Sequence, residues 1–354
     1  MEYAEKSIMD NKIKKILILR TDNLGDLILS LPAIWALKKE FPGAGLTLLV
    51  NKKNAALARA LPYINKVIPV DSKTLALLRA WREIRKINFD IAIQLYTGNN
   101  IKEAILIFFS KARHRIGYSG GLSGLFFTNK IKLKLNRNET LNTIDIMKNL
   151  APGLSFQGSG LEPAHLKSKR VNSLLEKYGV NNEEKIIVVH PGASQQNKNK
   201  MWPVQRYSAL LEKITAISRN KLFIIGTHEE KVISEQINRP KDGIFDLTGL
   251  LDIPDLVNLI ARSSLFIGNN SGPLQIAAAL NVPSVSLMGP SIYERWAPQG
   301  DKHIVIQKKI SCVPCEGKKN NCLDNICLKN ISVDEVFDAV KSQLSKSLPE
   351  DKIE

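Results

Sequence analysis

The chain has 354 residues, of which 44% are hydrophobic and 24% charged, and its mean hydropathy is −0.11. These values are typical of a globular protein of two domains and exclude a disordered chain, a collagen and a small disulfide scaffold. No apolar run approaches the roughly 18 residues of a membrane span. Residues 1–15 lack the apolar core of a signal peptide. We therefore expect a cytoplasmic protein.

The positive charge is concentrated in the first half. The sequence has 50 Lys and Arg against 34 Asp and Glu, a formal charge of +16. Residues 1–165 contain 25 basic and 13 acidic residues (+12), whereas residues 166–354 contain 25 and 21 (+4). A basic half is typical of proteins with an anionic partner, such as nucleic acid, an acidic membrane surface or a phosphorylated substrate. A lysine-rich composition that favours solubility is the alternative.

Strands and helices are predicted to alternate along both halves of the chain. The predicted strands are Lys15–Arg20, Leu46–Val50, Val67–Val70, Ile91–Leu95, Ile186–His190, Lys221–Gly226, Leu265–Gly268 and Ser284–Met288. The predicted helices are Leu27–Phe41, Ala55–Leu61, Leu75–Lys86, Pro203–Arg219, Glu229–Asn238, Ile253–Arg262, Gly272–Leu280 and Val333–Leu344. This alternation predicts two doubly wound parallel sheets, with a ligand crevice between them beyond the carboxyl ends of the strands.

The domain boundary is predicted near a stretch rich in Gly, Pro and Ser at residues 151–163. We expect a first domain at 13–165, a second at 166–330, and a C-terminal helix and tail at 331–354.

The first motif, residues 20–26 (RTDNLGD), lies between the first strand and the first helix. Gly25 permits a tight turn and a close approach of the backbone to a ligand. Asp26 is placed at the helix start, where its carboxylate can take a proton from an attacking hydroxyl. Because Asp is also a favoured N-cap, a purely capping role is the alternative. The helix dipole favours the charged form of Asp26 and makes it a weaker base. Such a base suits a reaction in which the proton is released late, as the leaving group departs.

The second motif is the small-residue loop that follows the strand ending at Gly268. A helix is predicted to begin around Pro273, a residue suited to a first turn. The amides of Ser271, Gly272 and Leu274 then form, with the helix dipole, a site for an anion. An ordinary Ser-capped core helix is the alternative. The loop is not a P-loop, because it lacks Gly-Lys-Ser/Thr. Neither strand-helix turn has Gly-x-Gly-x-x-Gly, and this absence from the sequence argues against a dinucleotide oxidoreductase.

The third motif is residues 190–203 (HPGASQQNKNKMWP), a strand end followed by a polar loop with two lysines. A lysine here can neutralise a diphosphate leaving group, and a solvated loop is the alternative. His190 is interpreted as a structural residue at the strand end.

Four cysteines lie close together in the sequence, at Cys312, Cys315, Cys322 and Cys327. Such a cluster can hold a structural zinc ion, although the second pair is irregularly spaced. A cytosolic chain does not usually form disulfides. No catalytic metal is suggested, because Asp-x-Asp and His-Glu-x-x-His are both absent from the sequence.

In this order the motifs resemble glycosyltransferase family 9, the ADP-heptose:lipopolysaccharide heptosyltransferases, over roughly Lys14 to Leu344. The resemblance rests on residues 20–26, 191–194 (PGAS), 200–203 (KMWP), 270–273 (NSGP), 289–290 (GP), 296–298 (WAP) and the cysteine segment. It implies a GT-B fold, in which two Rossmann-like domains face each other across a crevice, and an inverting transfer that needs neither a metal nor a cofactor. Its catalytic residues are Asp26 as the base and Lys200 as the phosphate-binding lysine.

The resemblance also implies the binding residues and the partners. The acceptor and crevice residues are Arg20, Asp22 and Gly25. The donor-binding residues are Ser194, Lys200, Glu229 or Glu230 for the ribose, Thr248, Gly249 and Leu250 for the adenine, and Asn270, Ser271, Gly272, Pro273 and Leu274 for the diphosphate. The donor is ADP-heptose, and the acceptor is an anionic glycolipid at the inner membrane surface, where the enzyme is peripheral.

Two positions depart from the family pattern and keep alternatives open. Asn270 replaces the usual Asp, which removes a negative charge next to the donor phosphates. Gln275 replaces the usual His, which removes a titratable group there. Another nucleotide sugar, a sugar-nucleotide epimerase and an inactive paralogue are the alternatives. A nucleic-acid-binding protein is not favoured, because only 6% of residues are aromatic and the basic residues are not interleaved with them.

Overall fold

The computed structural model describes residues 13–71, 74–98, 100–166, 168–181, 184–193, 199–237, 243–315, 322 and 324–346. These residues form two compact α/β units that divide between His165 and Leu166. Each unit has one six-stranded parallel sheet with helices packed on it. The predicted class of two doubly wound α/β domains is confirmed.

The sheet of the first unit has the spatial order β3-β2-β1-β4-β5-β6. Its strands are β1 (Lys15–Arg20), β2 (Gly45–Asn51), β3 (Lys66–Val70), β4 (Ile91–Gln94), β5 (His114–Tyr118) and β6 (Asn129–Ile131). Its helices are α1 (Leu24–Glu40), α2 (Ala55–Ala60), α3 (Thr74–Arg85), α4 (Ile101–Phe109) and α5 (Glu139–Leu150), with a 3₁₀-helix at Leu122–Phe126. Leu17 and Leu19 share a core with α3 and α4. The alternate residues Ile16 and Ile18 are also fully buried, which explains the unbroken apolar run of β1.

The sheet of the second unit has the order β12-β11-β10-β7-β8-β9. Its strands are β7 (Ile186–His190), β8 (Lys221–Ile224), β9 (Ile244–Asp246), β10 (Ser263–Asn269), β11 (Ser284–Met288) and β12 (His303–Gln307). Its helices are α6 (Lys169–Lys177), α7 (Val204–Ile217), α8 (Lys231–Ser234), α9 (Ile253–Ala261), α10 (Gly272–Ala279), α11 (Tyr293–Trp296), α12 (Ile326–Lys329) and α13 (Val333–Lys346). The last helix packs on α7 and β11, so it belongs to this unit.

Both sheets have the same topology. Numbered within its own unit, each runs 3-2-1-4-5-6, the order of a Rossmann fold. The strand order reverses between β1 and β4 in the first sheet and between β7 and β10 in the second. Ligands of such sheets bind beyond the carboxyl ends of the strands at these reversal points. The loops after these four strands are therefore where functional residues are to be sought.

Several elements differ from the prediction, mainly in the segments that the sequence left unassigned. The strands β1, β7 and β11 have the predicted bounds. The unpredicted elements are α4, β5, β6, α5, α6, β9, α11, β12 and α12. The predicted helix over Glu229–Asn238 is instead a 3₁₀-turn at His228–Glu230 followed by the short α8. In the part of the chain that the structure describes, no helix combines the length and the apolarity that crossing a membrane requires.

Candidate active site

Arg20, the last residue of β1, is completely buried among carboxylates. Its Nε lies 3.1 Å from Asp22 Oδ1, and its Nη2 lies 3.1 Å from Glu139 Oε1 and 3.6 Å from Asp26 Oδ1. Its Nη1 donates to the carbonyl of Leu95, just after β4. Burial disfavours a charged guanidinium, but the three carboxylates outweigh burial and raise the pKa of Arg20. Arg20 is therefore charged, and it joins the ends of the two strands at the reversal point of the first sheet.

Glu103 on α4 is a further buried acid beside this cluster. Its carboxylate accepts hydrogen bonds from the Thr21 hydroxyl, from Gln94 Nε2 at 2.9 Å and from Asn100 Nδ2 at 2.9 Å. Burial raises the pKa of Glu103, although the bonds from Thr21 and Gln94 favour its ionised form. Burial also raises the pKa of Asp22 well above its usual range, and neighbouring carboxylates add to the effect. The site thus holds several carboxylates in different protonation environments.

Asp26 lies in the first turn of α1, which begins at Leu24 and not at Leu27 as predicted. The N-cap is Asn23, whose backbone amide donates to Asp26 Oδ2 at 3.2 Å, as in a capping box. Because this capping starts the helix early, Gly25 is helical, and the predicted tight turn at Gly25 is wrong. The Asp26 side chain is 15% exposed. Asp26 therefore supports the helix start and also keeps an accessible carboxylate.

His190, the last residue of β7, joins the loops after three strands of the second sheet. Its Nδ1 lies 2.9 Å from Ser271 Oγ, after β10, and its Nε2 lies 3.5 Å from Glu230 Oε1, after β8. Glu230 Oε2 accepts the Thr227 amide at 2.7 Å. Burial opposes ionisation of Glu230, but the hydrogen bond and charge of His190, with the Thr227 amide, outweigh burial and lower the pKa of Glu230 to about 2.

The two candidates for the ribose carboxylate have different surroundings. Glu230 is buried and engaged by His190, whereas Glu229 is exposed. Gly192 makes room for Glu230, because a Cβ at Gly192 would lie 2.2 Å from Glu230 Oε1. The glycine of the Pro-Gly-Ala motif therefore has a steric reason: any side chain there displaces Glu230.

Asn269, the last residue of β10, fixes the loop that follows β7. It is fully buried, and its Nδ2 donates to the carbonyls of Pro191 and Gly192 at 2.8 and 3.1 Å. Its Oδ1 accepts the Trp202 backbone amide at 3.0 Å, and the Trp202 indole donates to the Ile331 carbonyl at 3.0 Å. One side chain thus joins the two strands at the reversal point of the second sheet.

Of the two predicted donor residues in this loop, only Lys200 falls within the structure. It is half-buried and lies two residues before the anchored Trp202, which holds it near the end of β10. Ser194 lies outside the described residues.

The predicted adenine segment forms a turn beside the end of β8. The Gly249 amide donates to the Gly226 carbonyl at 2.9 Å, and a Cβ at Gly249 would lie 3.1 Å from His228 Cα. Thr248 is buried, and among the described residues its Oγ1 has no hydrogen-bond partner. Leu250 is 43% exposed. The structure therefore brings this turn next to the segment that carries Glu229 and Glu230.

The predicted anion site is the N-terminus of α10. Ser271 is the N-cap, and Gly272 and Pro273 occupy the first turn, as predicted from the sequence. The first amides of a helix, here including those of Gly272 and Leu274, have no partner within the helix and carry a partial positive charge. This end of α10 follows the reversal-point strand β10, where an anion is expected to bind.

The two departures from the family pattern have different surroundings. Asn270 is half-buried, and its backbone amide donates to the Leu287 carbonyl at 3.2 Å. Gln275 is buried, and its Nε2 donates to the Trp296 carbonyl at 3.0 Å. Its Oε1 is also buried and has no hydrogen-bond partner among the described residues. Gln275 therefore joins α10 to α11 instead of adding a titratable group.

The four cysteines are free thiols, with Cys312 exposed and Cys327 buried. Burial raises the pKa of Cys327, and the other three thiols add to this. Within the described residues, no group of three or more His, Cys, Asp or Glu side chains is arranged to hold a metal ion.

The site residues that sequence reasoning missed are Glu103, Glu139 and Asn269. Glu103 has a local signal, because Asn100 caps α4 and Glu103 stands three residues later. Asn269 ends an apolar strand, and the motif in the sequence begins one residue later, at Asn270. Glu139 is separated from Arg20 by 119 residues, so no spacing rule connects the two.

Comparisons with known proteins identify the family of the chain. A family model described as glycosyltransferase family 9 (heptosyltransferase) matches residues 77–325, more than half of the chain. The chain therefore belongs to glycosyltransferase family 9 and is a glycosyltransferase, as the sequence resemblance predicted.

Individual relatives cover nearly the whole chain. The lipooligosaccharide heptosyltransferase 2 of Campylobacter jejuni is 24% identical over 90% of this chain and 95% of its own length. The structure of the Escherichia coli ADP-heptose LPS heptosyltransferase II has a TM-score of 0.76 and 21% identity, covering 94% of this chain and 99% of that one. E. coli WaaC with ADP-2-deoxy-2-fluoro heptose has a TM-score of 0.72 and 16% identity, covering 94% and 100%. These structures confirm the predicted GT-B fold class.

Proposed function

We propose that the chain transfers a heptose from ADP-heptose to the core of a lipopolysaccharide, with inversion and without a metal in the transfer step. Family membership and the names of the relatives support the reaction class, and the WaaC complex supports an ADP-linked donor. The observation that carries the proposal is Asp26, a partly exposed carboxylate at the reversal point of the first sheet.

In the transfer step, Asp26 accepts the proton of the attacking acceptor hydroxyl. The hydroxyl oxygen bonds to the anomeric carbon as the bond from that carbon to the diphosphate breaks, and attack from the opposite face inverts the configuration. Arg20, 3.6 Å from Asp26 Oδ1, helps to position the carboxylate. The Asn23 amide binds the other carboxylate oxygen at 3.2 Å, so the carboxylate is held from both sides.

The second unit binds the donor in this proposal. The amides at the start of α10 and the ammonium of Lys200 bind the diphosphate and stabilise the charge that develops on departing ADP. The adenine lies along the Thr248–Leu250 turn, and the exposed Glu229 binds the ribose. Glu230 acts indirectly, because it orients His190 and through it Ser271, 2.9 Å away.

A thermal-shift comparison of ADP, UDP, GDP and CMP, with EDTA present, tests the donor. A ligand at 100 times its dissociation constant stabilises the fold by about 2.7 kcal/mol, so a shift confined to ADP and its sugars is expected. Lys200→Ala should reduce the shift, whereas Lys309→Ala, an exposed lysine of the same unit, should not.

Other outcomes decide against parts of the proposal. A preference for UDP or GDP would contradict ADP-heptose as the donor but not the fold. Asn270 and Gln275 raise this alternative. Turnover of the donor without an acceptor would indicate an epimerase. If no nucleotide shifts the melting temperature, the inactive-paralogue alternative replaces the proposal.

A further inference from the structure

The first unit exposes large apolar side chains on three elements that pack against one another, and we call them the α3–α4 patch. It consists of Leu75 and Leu78 on α3, Ile105 and Phe108 on α4, and Leu122 and Leu125 on the 3₁₀-helix. Leu125 is 74% exposed, Leu122 60% and Phe108 50%. Soluble proteins rarely leave so many large apolar side chains together in water, and such patches mark interaction sites.

Aromatic contacts make the three elements one surface. Trp81 on α3 contacts Phe109 on α4 edge to face at 5.9 Å, and Phe109 contacts Phe108 at 5.6 Å. Phe108 contacts Phe126 of the 3₁₀-helix at 5.9 Å. The inner sides of Trp81 and Phe126 pack on the core of the unit. The patch is therefore a rigid surface and not a set of loose side chains.

The segment that carries most of the patch is rich in basic residues. Between residues 75 and 115 the sequence has eight Lys and Arg, namely Arg79, Arg82, Arg85, Lys86, Lys102, Lys111, Arg113 and Arg115. Within the described residues, none of the eight pairs with a carboxylate. Arg85 and Arg115 lie over the rings of Trp81 and Phe108, at 4.8 and 5.7 Å from the ring centroids. Positive charge and exposed rings thus occupy the same surface.

The three acidic residues of the same segment are all engaged elsewhere. Glu83 pairs with Lys66 at 2.9 Å, and Asp90 accepts the amides of Lys14 and Lys15 at 2.8 and 2.9 Å. Glu103 is buried in the site described above. The charge of this segment is therefore not balanced locally.

We propose that the α3–α4 patch docks on the surface of a bilayer that contains anionic phospholipids. Large apolar side chains enter the boundary between headgroups and acyl chains, and the surrounding Lys and Arg bind lipid phosphates, which is the pattern of an interfacial protein. A protein partner explains the exposed rings but does not require eight basic residues in the same segment without carboxylate partners among the described residues. Because α4 carries both Glu103 of the site and Phe108 of the patch, docking brings the acceptor-side residues close to the membrane.

Sedimentation of the full chain with vesicles tests this proposal. We expect binding to mixed phosphatidylglycerol and phosphatidylcholine vesicles, little binding to phosphatidylcholine alone, and release as sodium chloride rises. The double variant Phe108→Ser, Leu125→Ser should lower the partition coefficient about tenfold or more, since each ring or branched chain loses its apolar burial. The matched control is Ile217→Ser, Val232→Ser, which removes two apolar side chains of similar exposure from the second unit.

A charge variant separates the two contributions. Arg82→Gln, Lys102→Gln should weaken binding to anionic vesicles and flatten its salt dependence, while Lys309→Gln leaves both unchanged. Equal binding of the wild type to anionic and to pure phosphatidylcholine vesicles overturns the proposal. An equal loss of vesicle binding in the Phe108→Ser, Leu125→Ser variant and in the Ile217→Ser, Val232→Ser control also overturns it. A patch variant that changes the sedimentation coefficient of the free protein, with vesicle binding intact, assigns the surface to self-association instead. No donor or acceptor is needed, so this test is independent of the proposed reaction.

Discussion

The two sheets share one strand order, yet their reversal points have opposite chemistry. In the first unit, one buried guanidinium lies among carboxylates, although that half of the chain carries +12. In the second unit, backbone amides, a serine and a histidine meet at the strand ends, and the carboxylate present is engaged by the histidine. The fold fixes where a site lies, and local side chains fix what it does. The net charge of a half is no guide to its site.

The sharpest test of this contrast is the carboxylate of the first site. Asp26→Asn should lower turnover by roughly 10²- to 10⁴-fold, the usual contribution of a general base, because the amide cannot take a proton. Nucleotide affinity should stay unchanged, since the proposed donor residues belong to the other unit. Steady-state kinetics with an ADP-binding titration measures both. Asp145→Asn, a carboxylate of α5 that pairs with Arg137 and not with Arg20, is the control, and equal turnover in both variants would contradict the role of Asp26.

The next largest effect is expected from the guanidinium that balances these acids. Arg20→Met should reduce the free energy of unfolding by about 3–5 kcal/mol, because buried carboxylates are left without a counter-charge. Urea denaturation of the variant beside Arg137→Met, whose partner is partly exposed, gives the comparison. If the two variants lose equal stability, the burial of the Arg20 cluster does not increase the cost of removing its positive charge.

Glu230 gives the second site a distinct pH signature. Its pKa of about 2 in the fold lies below its ordinary value of 4.5, so ionised Glu230 stabilises the protein above pH 4.5. That stability is lost as the pH falls from 4.5 towards 2. Glu230→Gln should therefore be less stable than wild type at pH 6, by about 1.5–3 kcal/mol for a charged hydrogen bond. The difference should shrink on acidification, and a constant difference between pH 6 and pH 3 would refute the assignment.

The smallest expected effect is steric. Gly192→Ala places a Cβ 2.2 Å from Glu230 Oε1 and should cost about 1–3 kcal/mol of stability, as overpacking does. Gly153→Ala is the matched control, because a Cβ there meets nothing within 4 Å. Thermal unfolding of the two variants measures the difference. Similar melting temperatures would show that Glu230 moves aside freely.

Sequence patterns predicted every inner strand except β5, and they missed the edge strands β6, β9 and β12. The runs at β1, β7 and β11 are continuously apolar because both faces of these strands are buried, and their bounds were predicted correctly. The edge strands β6 and β9 have three residues each, too few for a period to appear. The helix start at Leu24 was missed because Asn23 and Asp26 act as a pair, which single-residue capping preferences do not show.

The candidate site was predictable only where its contacts are local. The motif at residues 20–26 and the loop before α10 each lie at one strand-helix junction, and the sequence located both. The sequence predicted that Arg20 lies in the crevice but not that it is buried. Its burial depends on Glu139 of α5, which is distant in the sequence. Likewise, a loose alignment could not choose between Glu229 and Glu230, because the choice depends on His190, which comes from another strand. The roles proposed for these residues stay predictions until the variants are measured.

Three of the four edge strands, β3, β6 and β9, are poorly suited to pairing with other chains, which limits aggregation. Open sheet edges invite other chains to add strands, and β6 and β9 offer only three residues each, while β3 carries Pro69, which has no amide hydrogen to donate. The apolar surface of the first unit, by contrast, lies on helices whose backbone groups bond internally. The patch can therefore make contacts through its side chains without offering backbone groups to which another chain could add a strand. The chain can keep this surface exposed when no partner is bound.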